Sequence, residues 1–248
     1  MKLAELLSSE VADIPRDIVV IVPVASLEQH SLHLPVFTDS MILEECIRRL
    51  EARLSDTVLV LPVMWLGYSQ HHMPYPGTVS ASSDTHQNLM EDIVTSMISH
   101  GFHNIFMINS HGGNEANIAV LLQRLMERHE EVAVYATTPY AGPAKEKMDT
   151  ILEAGPKGSG HAGETETSMI LHLRPDMVNT DRLDLDGQSA FPLPGVKSYR
   201  KFNSRTAHGG IGDPRSATAE KGERLFQVAE DNLVEIVRRI QEGGIYET

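Results

Sequence analysis

The sequence predicts an α/β protein: a single-domain α/β sandwich with a mostly parallel central sheet flanked by helices. Two observations support this class. Short apolar runs rich in β-branched residues alternate with longer segments of helical periodicity, the order typical of a doubly wound sheet. The apolar runs show no polar alternation, as expected for parallel strands that are covered on both faces. With 248 residues, the chain is long enough for one such domain over residues 1–248.

The elements follow one another regularly along the chain. Strands are predicted from runs of Val, Ile and Leu, and helices from apolar residues spaced three and four apart. After a short helix at 2–12, the predicted strands are 17–24, 57–63, 104–108 and 131–136, and the predicted helices are 38–54, 84–100, 118–125, 165–173 and 217–241. Gly and Pro interrupt the periodicity elsewhere, so a flexible excursion is expected at 140–160 and loop or short β-structure at 176–215.

Charge and composition limit the partners. The chain has 21 Lys and Arg against 34 Asp and Glu, a net charge of −13, which argues against nucleic acid or an anionic membrane surface as partner. No apolar stretch approaches the ~18 residues needed to span a bilayer, and the N-terminus lacks the apolar core of a signal peptide. The single cysteine, Cys46, excludes a disulfide within the chain and fits a reducing compartment. We therefore expect a cytoplasmic protein that acts on a small molecule.

Polar side chains gather where the predicted strands end. Glu28 and His30 follow the first strand, Asp39 begins the next helix, and His111 follows the third strand. Parallel α/β sheets bind ligands in the crevice at the carboxyl ends of their strands. These four residues are therefore expected to lie together.

The residue types in this set are those that hold divalent cations. Glu28 and His30 lie two residues apart, so an extended segment places them on one side, and the two oxygens of Asp39 allow it to bridge two ions. His111 precedes a Gly-Gly turn, and Glu164 lies in a similar turn at a helix start. Three carboxylates and two imidazoles suit two divalent ions, Zn²⁺ foremost and Mn²⁺ or Fe²⁺ as alternatives. Two such ions supply hydroxide and polarise a carbonyl, so hydrolysis of a carbonyl-type bond is expected.

Seven short motifs, in order, together resemble the creatininase family of metal-dependent amidohydrolases. They are Glu28-Gln-His30, His33-Leu-Pro35, Thr38-Asp39, Pro76-Gly77-Thr78, Ser110-His111-Gly-Gly-Asn114, His161-Ala-Gly-Glu164-Thr-Glu-Thr167 and Gly212-Asp213-Pro214. They span most of the chain. The resemblance implies a single α/β domain with a dinuclear metal centre, and a homo-oligomer, often a hexamer.

The resemblance also implies roles for individual residues. Glu28, Asp39 and His111 are expected on one metal ion, and His30, Asp39 and Glu164 on the other, with Asp39 bridging. Glu164 is thus expected to be both a ligand and part of the catalytic centre. His161 is expected to transfer a proton near the leaving group.

The predicted function is that of a dinuclear amidohydrolase. A metal-bridging hydroxide is expected to attack a cyclic or linear amide at a C–N bond other than a peptide bond. Creatinine itself is not the expected substrate. The creatinine-hydrolysing branch packs tryptophans on the substrate, whereas this chain has only Trp65, which lies elsewhere. That branch also has a metal-binding glutamate after the motif histidine, where this chain has Gly113.

Two other readings remain open from the sequence. The same centre serves a hydrolase that cleaves a carbon–carbon bond in a cyclic polyol ketone of the 3-dehydro-scyllo-inosose type. A metal-stabilised assembly or sensor without catalysis is the non-enzymatic alternative. The sequence leaves the substrate, the native metal and the oligomeric state open, as well as substrate contact by His71, His72, His208 or Asp213.

Overall fold

A sheet of four parallel strands forms the centre of the protein, in a computed structural model that describes residues 1–155, 158–184, 186 and 198–243. The strands lie in the order β2-β1-β3-β4, and all pair in parallel. They are β1 (Val19–Val24), β2 (Val58–Val60), β3 (Asn104–Asn109) and β4 (Ala133–Thr137). The predicted α/β class with a parallel central sheet is confirmed.

Helices cover the sheet on both faces. They are α1 (Ser8–Ala12), α2 (Thr38–Arg53), α3 (Ser83–Ser99), α4 (Glu115–Arg128), α5 (Pro143–Asp149), α6 (Glu164–Leu173) and α7 (Ala219–Gln241). Successive side chains of β1 point to opposite faces, so Val19 and Ile21 join a core with α2, α5, α6 and α7. Val20 and Val22 join a second core with α3 and α4. Within the described ranges, no helix is both long and apolar enough to cross a membrane.

The strand register brings two loops together at one end of the sheet. Val24, the last residue of β1, pairs with Asn109, the last residue of β3, and the Ser110 amide donates a hydrogen bond to the Val24 carbonyl over 3.0 Å. Strand β2 lies on one side of β1, and β3 lies on the other side, so the direction in which strands are added to the sheet reverses at β1. The crevice at which such a sheet binds ligands therefore opens between β1 and β3.

Two stretches differ from the predicted elements. The excursion expected at 140–160 contains α5, whose Met148 is buried in the core. The N-terminal helix is divided into a 3₁₀ turn, Leu3–Glu5, and the one-turn helix α1.

The weakly periodic region 176–215 and the residue before it hold short 3₁₀ turns at Pro175–Met177, Thr180–Arg182 and Phe202–Ser204. Residue 185 and residues 187–197 of that region lie outside the described residues.

Helices α6 and α7 touch backbone to backbone. A Cβ atom at Gly222 of α7 would lie 2.1 Å from the carbonyl oxygen of Ser168 in α6. Only glycine permits this approach. Because α6 begins at the polar end of the sheet, this contact fixes the position of residues discussed below.

Replacing Gly222 by Ala tests this contact. Overpacking is expected to lower the free energy of unfolding by about 1–3 kcal/mol, although alanine is favoured over glycine in an ordinary helix interior by ~1 kcal/mol. Urea denaturation measures the change. The exposed Arg224→Ala control in the same helix is expected to stay within about 0.5 kcal/mol of the parent. A stabilised Gly222→Ala protein would contradict the contact.

Candidate metal centre

The loop after β1 is held against the start of α2. Ser40 donates a hydrogen bond to the carbonyl of Ser26 (2.8 Å), and Ser110 donates to the carbonyl of Asp39 (3.0 Å). The Asp39 carboxylate, in the first turn of α2, accepts a hydrogen bond from the Ser26 hydroxyl. These bonds fix Asp39 beside the ends of both central strands.

The turn after β3 is fixed by two asparagines. Asn109 donates from its side chain to the His111 carbonyl (2.8 Å) and accepts from the His111 amide (3.2 Å). Asn114 donates to the carbonyl of Ala25 and to the side-chain oxygen of Asn109. The turn thus delivers the His111 ring to the loop that carries Glu28.

Four of the predicted ligands lie together in the structure. The Glu28 Oε2 atom lies 3.2 Å from His111 Nε2, and His111 Nδ1 lies 3.3 Å from Asp39 Oδ2. On the other side of Asp39, Oδ1 lies 3.6 Å from His30 Nε2. His30 Nδ1 lies 3.0 Å from the carbonyl of Glu28, which can only accept, so Nδ1 is a donor and Nε2 is the nitrogen that faces Asp39. This is the usual orientation of a metal-binding histidine.

The fit to cations can be judged from polar atoms that lack partners. Both carboxylate oxygens of Glu28 and Nε2 of His30 are buried and have no hydrogen-bond partner among the described residues. Such atoms are costly unless they are paired or coordinate a metal. Among the described residues, three groups bring ligand atoms within 4.8 Å of one another: Glu28–His30–His161, Glu28–His71–His111 and His30–Asp39–Glu166. The second and third groups share no residue, so they form two separate candidate metal sites.

The pKa values in the cluster show that its buried carboxylates are stabilised by positive charge on neighbouring imidazoles. Burial disfavours the Glu28 carboxylate, but the neighbouring imidazoles of His111 and His72 together outweigh it, and the pKa of Glu28 falls to about 2. Burial likewise disfavours a charged His30, yet Asp39 raises its pKa to about 9. The carboxylates therefore hold protons on neighbouring imidazoles, and divalent ions would replace those protons on binding.

Glu164, predicted as a ligand and catalytic residue, belongs to none of the three candidate ligand groups among the described residues. Its fully buried carboxylate lies 2.6 Å from Lys221 Nζ and accepts hydrogen bonds from the amides of Glu153 and Ala154. Glu166, two residues further along α6, lies 3.8 Å from His30 Nε2 and forms a candidate ligand group with His30 and Asp39. Residues two apart in a helix point in different directions, and only one of them faces the cluster.

His161 lies at the edge of the cluster, as expected from its motif. Its Nε2 atom lies 2.8 Å from the carbonyl of Gln29, an acceptor, so the proton is on Nε2. Its Nδ1 atom lies 3.6 Å from Glu28 Oε1. Burial, together with the charge of His30, lowers the pKa of His161 to about 3. The ring is therefore neutral, with a free nitrogen on the side of Glu28.

The cluster opens into a cavity of about 490 Å³. His71 and His72 line it, whereas Trp65, His208 and Asp213 are not among its lining residues. His72 Nε2 lies 3.2 Å from Glu28 Oε1, and its Nδ1 lies 2.7 Å from the side-chain amide of Gln29. The remaining wall comes chiefly from the β4–α5 region and includes Thr138, Tyr140, Lys145, Met148, Asp149 and Leu152, with Phe202 opposite.

Several residues of the site were not predicted from the sequence as members of the centre. The sequence pattern favours a helix-start charge or a partner of a ligand for Glu166, and Gln29 and Tyr140 have no signal of their own. For Glu166 the available signal was the second carboxylate in Glu164-Thr-Glu166, but the sequence does not show which one meets Lys221. His71 and His72 were noted only as loop residues at the cleft.

The parallel α/β fold carries, where the order of its strands reverses, a cluster of buried carboxylates and imidazoles that forms a candidate metal-binding site. The chain belongs to the creatininase family, because the family model Creatininase: Creatinine amidohydrolase matches residues 4–237. It is therefore a creatininase-family hydrolase.

Relatives with curated functions act on two kinds of amide. The mycofactocin precursor peptide peptidase of Mycolicibacterium smegmatis (strain ATCC 700084 / mc(2)155) is 32% identical over 229 residues, which cover 90% of this chain and 85% of the relative. Creatinine amidohydrolase of Pseudomonas putida is 27% identical over 237 residues, covering 90% and 89%. A Zn–Zn form of a creatininase variant matches with a TM-score of 0.81 at 24% identity, covering 96% of this chain and 97% of that one. A manganese form of creatininase matches with a TM-score of 0.81 at 25% identity and the same coverage.

The two glutamates at the start of α6 provide a matched pair for testing the metal centre. Glu166→Gln is expected to bind less metal than the parent, because the triad with His30 and Asp39 loses a carboxylate. Glu164→Gln is expected to keep its metal but to lose about 1–3 kcal/mol of unfolding free energy, because the buried Lys221 then keeps only Glu153 as an anionic partner. Elemental analysis after dialysis and urea denaturation measure the two effects. The reverse pattern, with metal lost only in Glu164→Gln, would restore Glu164 as the ligand.

Proposed function

We propose that this protein is a dinuclear metal-dependent hydrolase that cleaves an amide C–N bond in a peptide-type substrate. The observation that carries the proposal is the pair of disjoint triads, Glu28–His71–His111 and His30–Asp39–Glu166, beside an open cavity. Asp39 lies within 3.6 Å of both His30 and His111, so it connects the two triads. Zn²⁺ suits the mixture of imidazole and carboxylate ligands, and Mn²⁺ is the alternative.

Bound divalent ions supply a water whose pKa is near 7 and polarise a carbonyl oxygen. The chain itself supplies the groups that handle protons. The Nε2 proton of His161 is held by the carbonyl of Gln29, and its Nδ1 faces Glu28, so Nδ1 is placed to take a proton transiently from the attacking water. Returning this proton to the leaving nitrogen completes hydrolysis to a carboxylic acid and an amine.

The size and wall of the cavity support a substrate larger than a single lactam ring. About 490 Å³ is within the range of cavities that hold drug-sized ligands. Tyr140, Met148, Leu152 and Phe202 offer apolar surface, and the ion pair of Lys145 with Asp149 (2.7 Å) adds a polar patch to the wall. The tryptophans expected in the creatinine-hydrolysing branch are missing from the sequence except for Trp65, which is 45% exposed and does not line the cavity. These features favour a peptide segment, the kind of substrate named for the relative that is 32% identical.

Replacing Asp39 by Ala tests the dinuclear centre. Both ions are expected to bind more weakly, because the carboxylate lies beside His30 in one triad and beside His111 in the other. Equilibrium dialysis against Zn²⁺ followed by elemental analysis gives the stoichiometry. Asp84→Ala, an exposed change in the first turn of α3, is the control and is expected to bind metal as the parent does. Retention of two ions by Asp39→Ala would refute the assignment.

A screen of the metal-loaded protein tests the substrate class. Peptides of varied sequence, lactams, formamides and cyclic polyol ketones are incubated with it, and products are identified by mass spectrometry. Peptide cleavage is expected, with loss of activity on chelation and recovery on adding Zn²⁺ or Mn²⁺. Activity on the ketones alone would favour carbon–carbon hydrolysis. Full metal loading with no activity on any class would favour a metal-stabilised assembly or sensor.

A further inference from the structure

His71 occupies space that only a glycine at position 113 leaves free. A Cβ atom at Gly113 would lie 2.3 Å from His111 Nε2, 2.4 Å from the Tyr68 carbonyl oxygen and 2.7 Å from His71 Cε1. The His71 ring is stacked on the His111 ring, with centroids 5.7 Å apart and planes inclined by 14°. The missing side chain at position 113 thus leaves room for an imidazole from another loop.

The His71 ring is held in place but its nitrogens are not used. The Phe202 amide donates a hydrogen bond to the His71 carbonyl over 2.9 Å, and the ring contacts His72, His111 and Phe202. No hydrogen bond joins a His71 ring nitrogen to another residue in the described part of the chain. His72 differs, because the Gln29 amide occupies its Nδ1.

His71 also completes a compact set of ligand atoms. Glu28, His71 and His111 each offer an atom within 4.8 Å of the other two. Both oxygens of Glu28 are buried without a hydrogen-bond partner among the described residues. Catalytic zinc ions are typically held by three protein ligands, which leaves a position for water or substrate.

We propose that His71 is a direct ligand of the metal ion held by Glu28 and His111. The inference rests on the proposed dinuclear function and adds a third protein ligand to one of its two ions. That ion then has two imidazoles and the Glu28 carboxylate, whereas the other ion has one imidazole, His30, and the Glu166 carboxylate. Asp39 lies between the two sites, 3.3 Å from His111 and 3.6 Å from His30. The two sites therefore differ in ligand softness, and the site with His71 is expected to prefer Zn²⁺ over Mn²⁺ more strongly than the other.

The decisive measurement counts imidazole ligands. In the Co²⁺-loaded protein, the ring signals of ligated histidines are shifted by the paramagnetic ion, and proton NMR is expected to show three ligated rings: those of His30, His71 and His111. His71→Ala is expected to remove the shifted signals of one ring. It is also expected to lower the affinity for one of the two ions by at least about 100-fold, a larger loss than removal of an outer-shell partner typically causes. Competition with a chelator measures that affinity.

His72→Ala is the matched control, because His72 is the adjacent residue and also lies against Glu28. The Co²⁺-loaded His72→Ala protein is expected to keep the shifted ring signals of three histidines. Loss of a ring in His72→Ala and not in His71→Ala would overturn the inference, as would two shifted rings in the fully loaded parent. Failure of the parent to bind two ions would instead refute the proposed function. Unfolding of the metal-free variants by urea shows whether either change disturbs the fold.

Discussion

Buried carboxylates at the end of a parallel sheet are the constraint on which the rest of the site depends. Glu28 is fully buried, and its oxygens have no hydrogen-bond partner among the described residues. A buried anion of this kind is destabilising unless positive charge lies close to it. The imidazoles of His30 and His111 supply that charge, and the arrangement is one that divalent ions can take over. The buried carboxylate thus both lowers the stability of the fold and provides the negative charge that the proposed chemistry uses.

Elements far from the cluster hold it in place. The register of β1 with β3 sets Glu28 opposite His111, and the backbone contact between Gly222 and Ser168 sets α6 against α7. The buried ion pair of Glu164 with Lys221 then fixes the start of α6, so Glu166 faces His30. Glu164 thus has an anchoring part in the structure, and its burial is explained by Lys221 and two backbone amides without a metal ion.

Periodicity was sufficient to predict the four strands, their parallel arrangement and the helices that cover them, because both faces of the sheet demand continuous apolar runs. The strand ends then located Glu28, His30, Asp39 and His111 at one crevice. Helix α5 was not predicted, because seven residues that include a proline give too short a periodic pattern. Its Met148 is buried only because the sheet and α7 lie beneath it.

The fold class and the chemical types at the site follow from local pattern, because apolar runs make buried strands and polar residues follow them. Which carboxylate of α6 meets the cluster depends instead on the three-dimensional packing. The choice depends on Lys221, 57 residues after Glu164 along the chain. Tertiary structure likewise brought His71 and His161 to Glu28, since their neighbours come from separate loops and no local pattern records that distance.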